Sequence, residues 1–454
     1  MTGVVKAADR MPFAVAFAVF FLVAEDTLRL VGIQGVVTVV MVVTLSLVAI
    51  RVLGDDLKWG RHLGWWPTTL FVVWAGVRLL MVGPTVIGLQ EFCVWALYPL
   101  VIGTVSQRAQ PGTYERVCPW LVGAAALAAV VYLGQVALAG AGADQFYSAR
   151  GAGWLALLGL TIVLPRVVAC HKPWWPVPLL TAVIVLSQSR TPMVIAGAML
   201  VVTWAFRHRR GVAPTWRRVF LRLVIAGVIV VGLLAWLVLN VSWVQSRFTE
   251  GDGFSINGVV INLSGRATLW QLTIEQWLLD PWIGNGPGAV GTMLATYGPD
   301  YPDHPHNEYL RLLDDTGVIG LVLWLAGVVL VGWRSLRALS RAQSPKSVAV
   351  STSAVLGVLV MLAGSVTDNV TISLYIPLIT GVMIGLSLAD QRHTTDAMVW
   401  AESIPGGTSQ SVQLPVDEVE SQSVLSRARR LIPGQRLIGE ASSVTPRPRR
   451  QYVS

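Results

Sequence analysis

Three ionisable residues stand at the edges of apolar runs. Arg190 lies in Ser187-Gln188-Ser189-Arg190-Thr191-Pro192, Arg266 in Ser264-Gly265-Arg266, and His306 in His306-Asn307-Glu308-Tyr309. Burying an isolated charge is costly, so an ionisable residue in or at the edge of the membrane is by default a functional candidate. A guanidinium is a planar fork that grips two phosphate oxygens and stays charged. A neutral imidazole exchanges a proton near pH 7. These residue types suit holding an anion and moving a proton. Each also has a plainer reading. Arg190 suits an interfacial anchor, Arg266 a helix end among lipid headgroups, and His306 a solvated loop residue or helix cap. Arg150 and Arg247 read as anchors. Arg311 suits either a phosphate contact or a pair with Asp314 or Asp315, one turn away.

The elements that must position these groups are membrane spans. Of 454 residues, 54% are hydrophobic and 13% charged, against roughly 25% charged in a soluble domain. A deficit spread over the whole length implies a polytopic membrane protein. Nineteen Trp agree, because indoles favour the bilayer interface. The net charge of +9 reads as topology charge on cytoplasmic loops, not as a nucleic-acid footprint. Cys93, Cys118 and Cys170 have no paired spacing, which argues against a disulfide framework and a cysteine metal site. The run 12–24, after Lys6 and Arg10, has the look of a signal peptide. The spans that follow at once favour an uncleaved first helix.

A bilayer core takes about 20 apolar residues per helix. Twelve spans are expected, at 12–24, 32–50, 67–82, 86–104, 118–139, 153–169, 174–188, 192–206, 219–241, 315–333, 348–366 and 372–389. Basic residues follow the even spans: Arg51, Lys58 and Arg61, then Arg108 and Arg116, Lys172, Arg207 to Arg218, and Arg334 to Lys346. The positive-inside rule then places both termini in the cytoplasm and the loop after the ninth span outside. The fold class expected is an all-α polytopic membrane protein of about twelve helices, with a large extracytoplasmic loop between helices 9 and 10. The membrane domain spans 1–389, including a catalytic loop at 242–314. Residues 390–454, rich in Ser, Pro, Gly and Arg, are expected to be a disordered cytoplasmic tail. Within the loop, Ser264 reads as the N-cap of a helix to about Asp280, with Leu269, Trp270, Thr273 and Trp277 on one face. Pro281 stops it and Gly284-Asn285-Gly286-Pro287-Gly288 is a turn cluster.

His306-Asn307, nine residues, then Gly317-Val318-Ile319-Gly320 resembles the signature of bacterial O-antigen ligases and the related O-antigen polymerases. The expected architecture is similar too, and Arg190 and Arg266 fall where that family has flanking arginines. The likeness is clearest over 150–390. It implies transfer of a glycan from a polyprenyl-diphosphate donor to an acceptor hydroxyl of a glycan or glycolipid. The site would be on the outer face of the bacterial inner (plasma) membrane, with no cofactor and no metal. It implies His306, Arg266 and Arg190 as catalytic residues: the arginines stabilise the departing diphosphate, and His306 is the general base of a direct, inverting displacement. Asn307, Glu308, Tyr309 and Arg311 would contact substrate. The motif register selects His306 over His304, and Gly317 and Gly320 would permit close helix packing.

Three rival readings stand beside it. Asp300-Tyr301-Pro302-Asp303 and His304 hold metal-ligand types. Glu25-Asp26 resembles the acidic pair of multi-span polyprenyl-phosphate-sugar glycosyltransferases. A lipid-oligosaccharide flippase also suits twelve spans, though the polar residues here gather in one asymmetric loop. Ligase and polymerase share donor chemistry and differ in acceptor, so residues alone leave both open.

Overall fold

The computed structural model describes residues 66–142, 144, 147–207, 215–240, 253–256, 259–262, 266–298 and 304–402. The expected spans 12–24 and 32–50 lie outside these residues. So do Glu25, Asp26, Arg247, Ser264, Gly265, the stretch Asp300 to Asp303, and the tail beyond 402.

The described chain is helical apart from one short hairpin. Seven helices come first: α1 (Trp66–Val82), α2 (Val86–Arg108), α3 (Thr113–Ala139), α4 (Ala149–Cys170), α5 (Pro176–Leu186), α6 (Arg190–Ala205) and α7 (Trp216–Asn240). Strands β1 (Gly253–Ile256) and β2 (Val259–Asn262) pair antiparallel, Gly253 opposite Asn262. Helices α8 (Arg266–Trp277) and α9 (Ala289–Ala295) lead to α10 (Glu308–Arg341), α11 (Pro345–Gly364) and α12 (Tyr375–Glu402). Each expected span from 67–82 onward overlaps one of these helices, with ends that differ by up to several residues. Helix α12 continues to Glu402, past the expected boundary at 389. By length and composition α2, α3, α4, α10 and α11 can cross a membrane, while α1, α5 and α6 are apolar but shorter. This is the make-up of an integral membrane protein.

Helix α4 is the centre of the bundle. It packs on α3, α5, α6 and α11, and every residue from Gly151 to Pro165 is buried. Small residues allow it: a Cβ on Gly159 would sit 2.8 Å from Ala125 Cβ, and one on Gly153 would sit 2.7 Å from Ser187 Oγ. Without a hydrophobic driving force between helices in lipid, such close approach is what packing rests on.

Helix α10 is broken, not merely packed, at Gly317. That residue takes φ 70°, ψ −177°, a region that only glycine enters at low cost. The break frees backbone groups on both sides, and the segment 281–286 inserts to bond them. Val318 N–H donates to Pro281 O at 3.0 Å and Ile319 N–H to Trp282 O at 3.3 Å. Asn285 N–H donates to Asp314 O at 2.7 Å and Gly286 N–H to Asp315 O at 2.9 Å. A Cβ on Gly317 would lie 2.2 Å from Trp282 O, and one on Gly284 would lie 2.4 Å from Gly317 N. The Gly-rich turn and the helix break are thus one joint.

The polar residues before the break are buried and mutually bonded. Arg311, 1% exposed, lies 3.1 Å from Glu91 Oε1 and 2.6 Å from Glu308 Oε1. It also bonds Thr371 Oγ1 and stands over the Trp95 ring at 5.3 Å. Asp315 Oδ1 accepts from Val290 N–H at 3.2 Å, and Glu91 Oε2 from Gly288 N–H at 3.0 Å. This lattice ties α2, α9, the turn and α10 together.

The two ends of the bundle differ. At one, Glu115 meets Lys346 at 3.2 Å, Cys170 donates to Pro345 O, and Arg392 donates to Gln107 O. The starts of α4, α6 and α10 gather at the other.

Candidate active site

The first residue that builds the site is His306. It has φ 55°, a left-handed conformation that non-glycine residues rarely hold and that clusters at functional sites. The strain is held from both sides. Trp270 Nε1 of α8 donates to Pro305 O at 2.9 Å. Asn307 caps α10, its Oδ1 accepting from Leu310 N–H at 3.1 Å.

The next helix start is then pinned to the α11–α12 turn. Glu308 N–H donates to Ser365 O at 2.9 Å and to Asp368 O at 3.1 Å. Thr367 in that turn bonds Thr191 in α6 at 2.6 Å between hydroxyls.

Asp368 is the hub. It is 7% exposed. Its carboxylate accepts from Arg150 Nε at 2.8 Å and Trp154 Nε1 at 2.9 Å. It also accepts from Arg150 Nη2 and from Asn369 N–H. Burial alone would raise its pKa, but the Arg150 charge and these bonds outweigh it and the carboxyl sits below the usual range. Arg150 in turn reaches His306, with Nη2 3.1 Å from Nδ1. Neither Arg150 nor Asp368 is singled out in the sequence as more than an anchor or a loop residue. The available signal is that Asp368 is the one acidic residue between Thr316 and Ala389.

The remaining predicted catalytic residues join this group. Arg266 begins α8, half-buried; burial lowers its pKa first, then the charges of Arg150 and Arg190, with Asp368 opposing. Arg190 begins α6 and is half-buried. Arg150 is the second residue of α4. Each of the three guanidiniums therefore stands in the first turn of its helix, and His306 precedes the first turn of α10. The starting ends of four helices carry partial positive charge, added to Arg150 and Arg266, on which the Asp368 charge acts, and to Arg190, whose charge acts on Arg266. Such an arrangement attracts an anion.

Both histidines of the loop are held neutral. Burial and then the Arg150 charge bring the His306 pKa down to about 4, with Asp368 opposing and Arg266 adding to the drop. Burial and then His306 bring His304 down to about 3. The two rings meet edge-on, centroids 5.0 Å apart.

The four residues expected to contact substrate are placed differently. Asn307 is the helix cap. Glu308, 0% exposed, is enclosed with Arg311 and Thr371. Tyr309 donates its hydroxyl to Leu362 O at 2.6 Å and packs edge-on against Trp324. Arg311 pairs with Glu91 and Glu308, where the sequence suggests Asp314 or Asp315. These contacts brace the start of α10 beneath His306.

No curated protein matches the chain. A protein-family model does, over a stretch that runs from the start of α5 into α10 and takes in Arg190, Arg266, His306 and the Gly317–Gly320 break. That model is described as O-antigen ligase, and over residues 175–325 this integral membrane protein is similar to the O-antigen ligase family.

Proposed function

We propose that this protein transfers a glycan from a polyprenyl-diphosphate donor to the hydroxyl of a glycan or glycolipid acceptor. The observation that carries the reading is the convergence of Arg150 and Arg266 on His306, with Arg190 acting on Arg266, each arginine in the first turn of its helix. A lipid diphosphate leaving group builds negative charge as the glycosidic bond breaks. Positive charge fixed in advance at that point lowers the barrier without reorganisation. The guanidiniums supply it as bidentate donors, so a divalent ion has no required part, and activity is expected to survive chelator.

The acceptor hydroxyl attacks the anomeric carbon from the face opposite the diphosphate, so the product has inverted configuration. The basic bundle end, with Arg341, Lys346 and Arg392, faces the cytoplasm by the positive-inside rule. The site end then faces outward, beside the outer leaflet where the donor's diphosphate lies. Both termini are cytoplasmic and the membrane is the bacterial plasma membrane. Polymerase and ligase chemistry differ in the acceptor alone, and the same site serves either.

The test is incubation of purified protein in lipid vesicles with a polyprenyl-diphosphate oligosaccharide and candidate acceptors. Glycosylated acceptor and free lipid diphosphate in equal amounts are expected. A donor that changes leaflet but is not consumed would establish a flippase instead.

A further inference from the structure

A guanidinium carries five N–H donors and no acceptor. At the 3.1 Å contact between Arg150 Nη2 and His306 Nδ1, the ring nitrogen is therefore the acceptor. A neutral imidazole whose Nδ1 lone pair is taken carries its single proton on Nε2. We propose that His306 works in this state: Arg150 holds it as the Nε2–H tautomer, and it donates a hydrogen bond through Nε2 to an oxygen of the bound diphosphate instead of taking the acceptor's proton. Arg150, braced by Asp368, is the positioning residue that sets the tautomer. The identity of the oxygen rests on the glycan-transfer reading; the tautomer does not.

The surroundings of the ring agree. Arg150 faces it from α4, Arg266 from α8 and His304 from its own loop. The carboxylate that acts on it, Asp368, is engaged by Arg150, Trp154 and Asn369 N–H. An imidazolium would add a positive charge beside two guanidiniums, and Asp368, the carboxylate that acts on the ring among the described residues, is already bonded. A neutral N–H donor adds none, and complements the guanidiniums in binding an anion. The low pKa of the ring is consistent with this.

The transfer step balances without a protonated imidazole. The acceptor oxygen forms its bond to the anomeric carbon as the bond from that carbon to the phosphate oxygen breaks. The electron pair of the broken bond stays on the phosphate. The hydroxyl proton ends on the released diphosphate, carried there through solvent at this half-exposed site. A newly freed terminal phosphate has a second pKa of roughly 6 and can accept it.

Two measurements test the proposal. The first needs no substrate: solid-state 15N spectra of histidine-labelled protein in bilayers, with His306 assigned by difference against His306→Gln. We expect His306 protonated at Nε2 and bare at Nδ1. Arg150→Lys, which keeps a donor, should preserve that pattern, and Arg150→Met should mix the tautomers. The second is transfer activity. Glutamine offers an N–H donor but no basic lone pair, so His306→Gln should retain at least tenfold more activity than His306→Phe. A wild-type ring protonated at Nδ1, or glutamine and phenylalanine variants equally inactive, would overturn the proposal. If the wild-type protein transfers nothing, the glycan-transfer reading fails, and the spectrum still decides the tautomer. If Arg150→Met does not fold, the wild-type spectrum decides it alone.

Discussion

Arg266 and Arg150 are both guanidiniums near His306, but they are held in different ways. Arg150 spends Nε and Nη2 on Asp368 and His306, which fixes its position. Arg266 is affected mainly by burial and by its cationic neighbours, which leaves it suited to a ligand's charge. Lysine keeps the charge of Arg266 but not the fork. We therefore expect Arg266→Lys to lower kcat/KM by at least tenfold, about 1.4 kcal/mol, in steady-state transfer kinetics; unchanged kinetics would reduce Arg266 to an anchor. Asp368 gives a pH prediction. Its folded pKa is below the ordinary value near 4, so its ionised form stabilises the fold above that value, and the stabilisation is lost as pH falls through the folded pKa. Melting temperature should drop in that acidic range, and Asp368→Asn should flatten the drop while lowering stability at neutral pH. An identical pH dependence in the two proteins would remove Asp368 from the account. Arg190, Arg266 and His306 were legible because each interrupts or edges an apolar run and two flank a motif. The Arg150–Asp368 pair was not legible, because its partners are 218 positions apart and no periodicity joins them.

At the scale of elements, the joint between the 281–286 segment and the α10 break is the feature on which the site's placement depends. It sets where the first turns of α10 lie relative to α8 and α9, and it uses glycine on both sides. Gly317→Ala must place a Cβ where Trp282 O already lies, at a positive φ. We expect it to cost about 2–3 kcal/mol or more, read as a lowered melting temperature in detergent, with loss of transfer. A variant as stable as wild type would mean that the break is not obligatory. The sequence marks Gly317 and Gly320 as small residues for packing, which accounts for Gly320 beside Trp74 but not for the break. A helix interrupted by one glycine and repaired by an inserted turn reads, residue by residue, as a plain apolar run. The start of α10 at Glu308, ahead of the expected 315, has a related cause. Glu308, Arg311, Asp314 and Asp315 look too polar for a packed helix, and are accommodated because Glu91, Thr371, Asn285 and the N–H of Val290 in α9 bond them. Those partners come from elsewhere in the chain, so local composition gave no warning.

At the scale of the molecule, apolar helices position a small, cation-rich cluster at one end of the bundle and carry basic residues at the other. The apolar helices among the described residues were legible from hydropathy, since a run of apolar residues answers to one constraint, the bilayer, that needs no tertiary partner. Assembly of the cluster was not, since it draws on α4, α6, α8, the α10 start and the α11–α12 turn. The claim that joins these scales is that the cluster grips a lipid diphosphate. Binding of a short-chain polyprenyl diphosphate to the purified protein, compared with the matching monophosphate, tests it most directly. The diphosphate is expected to bind more tightly, with added salt weakening it and Arg266→Met weakening it at least tenfold. Equal affinity for the two lipids, unchanged by that substitution, would contradict it.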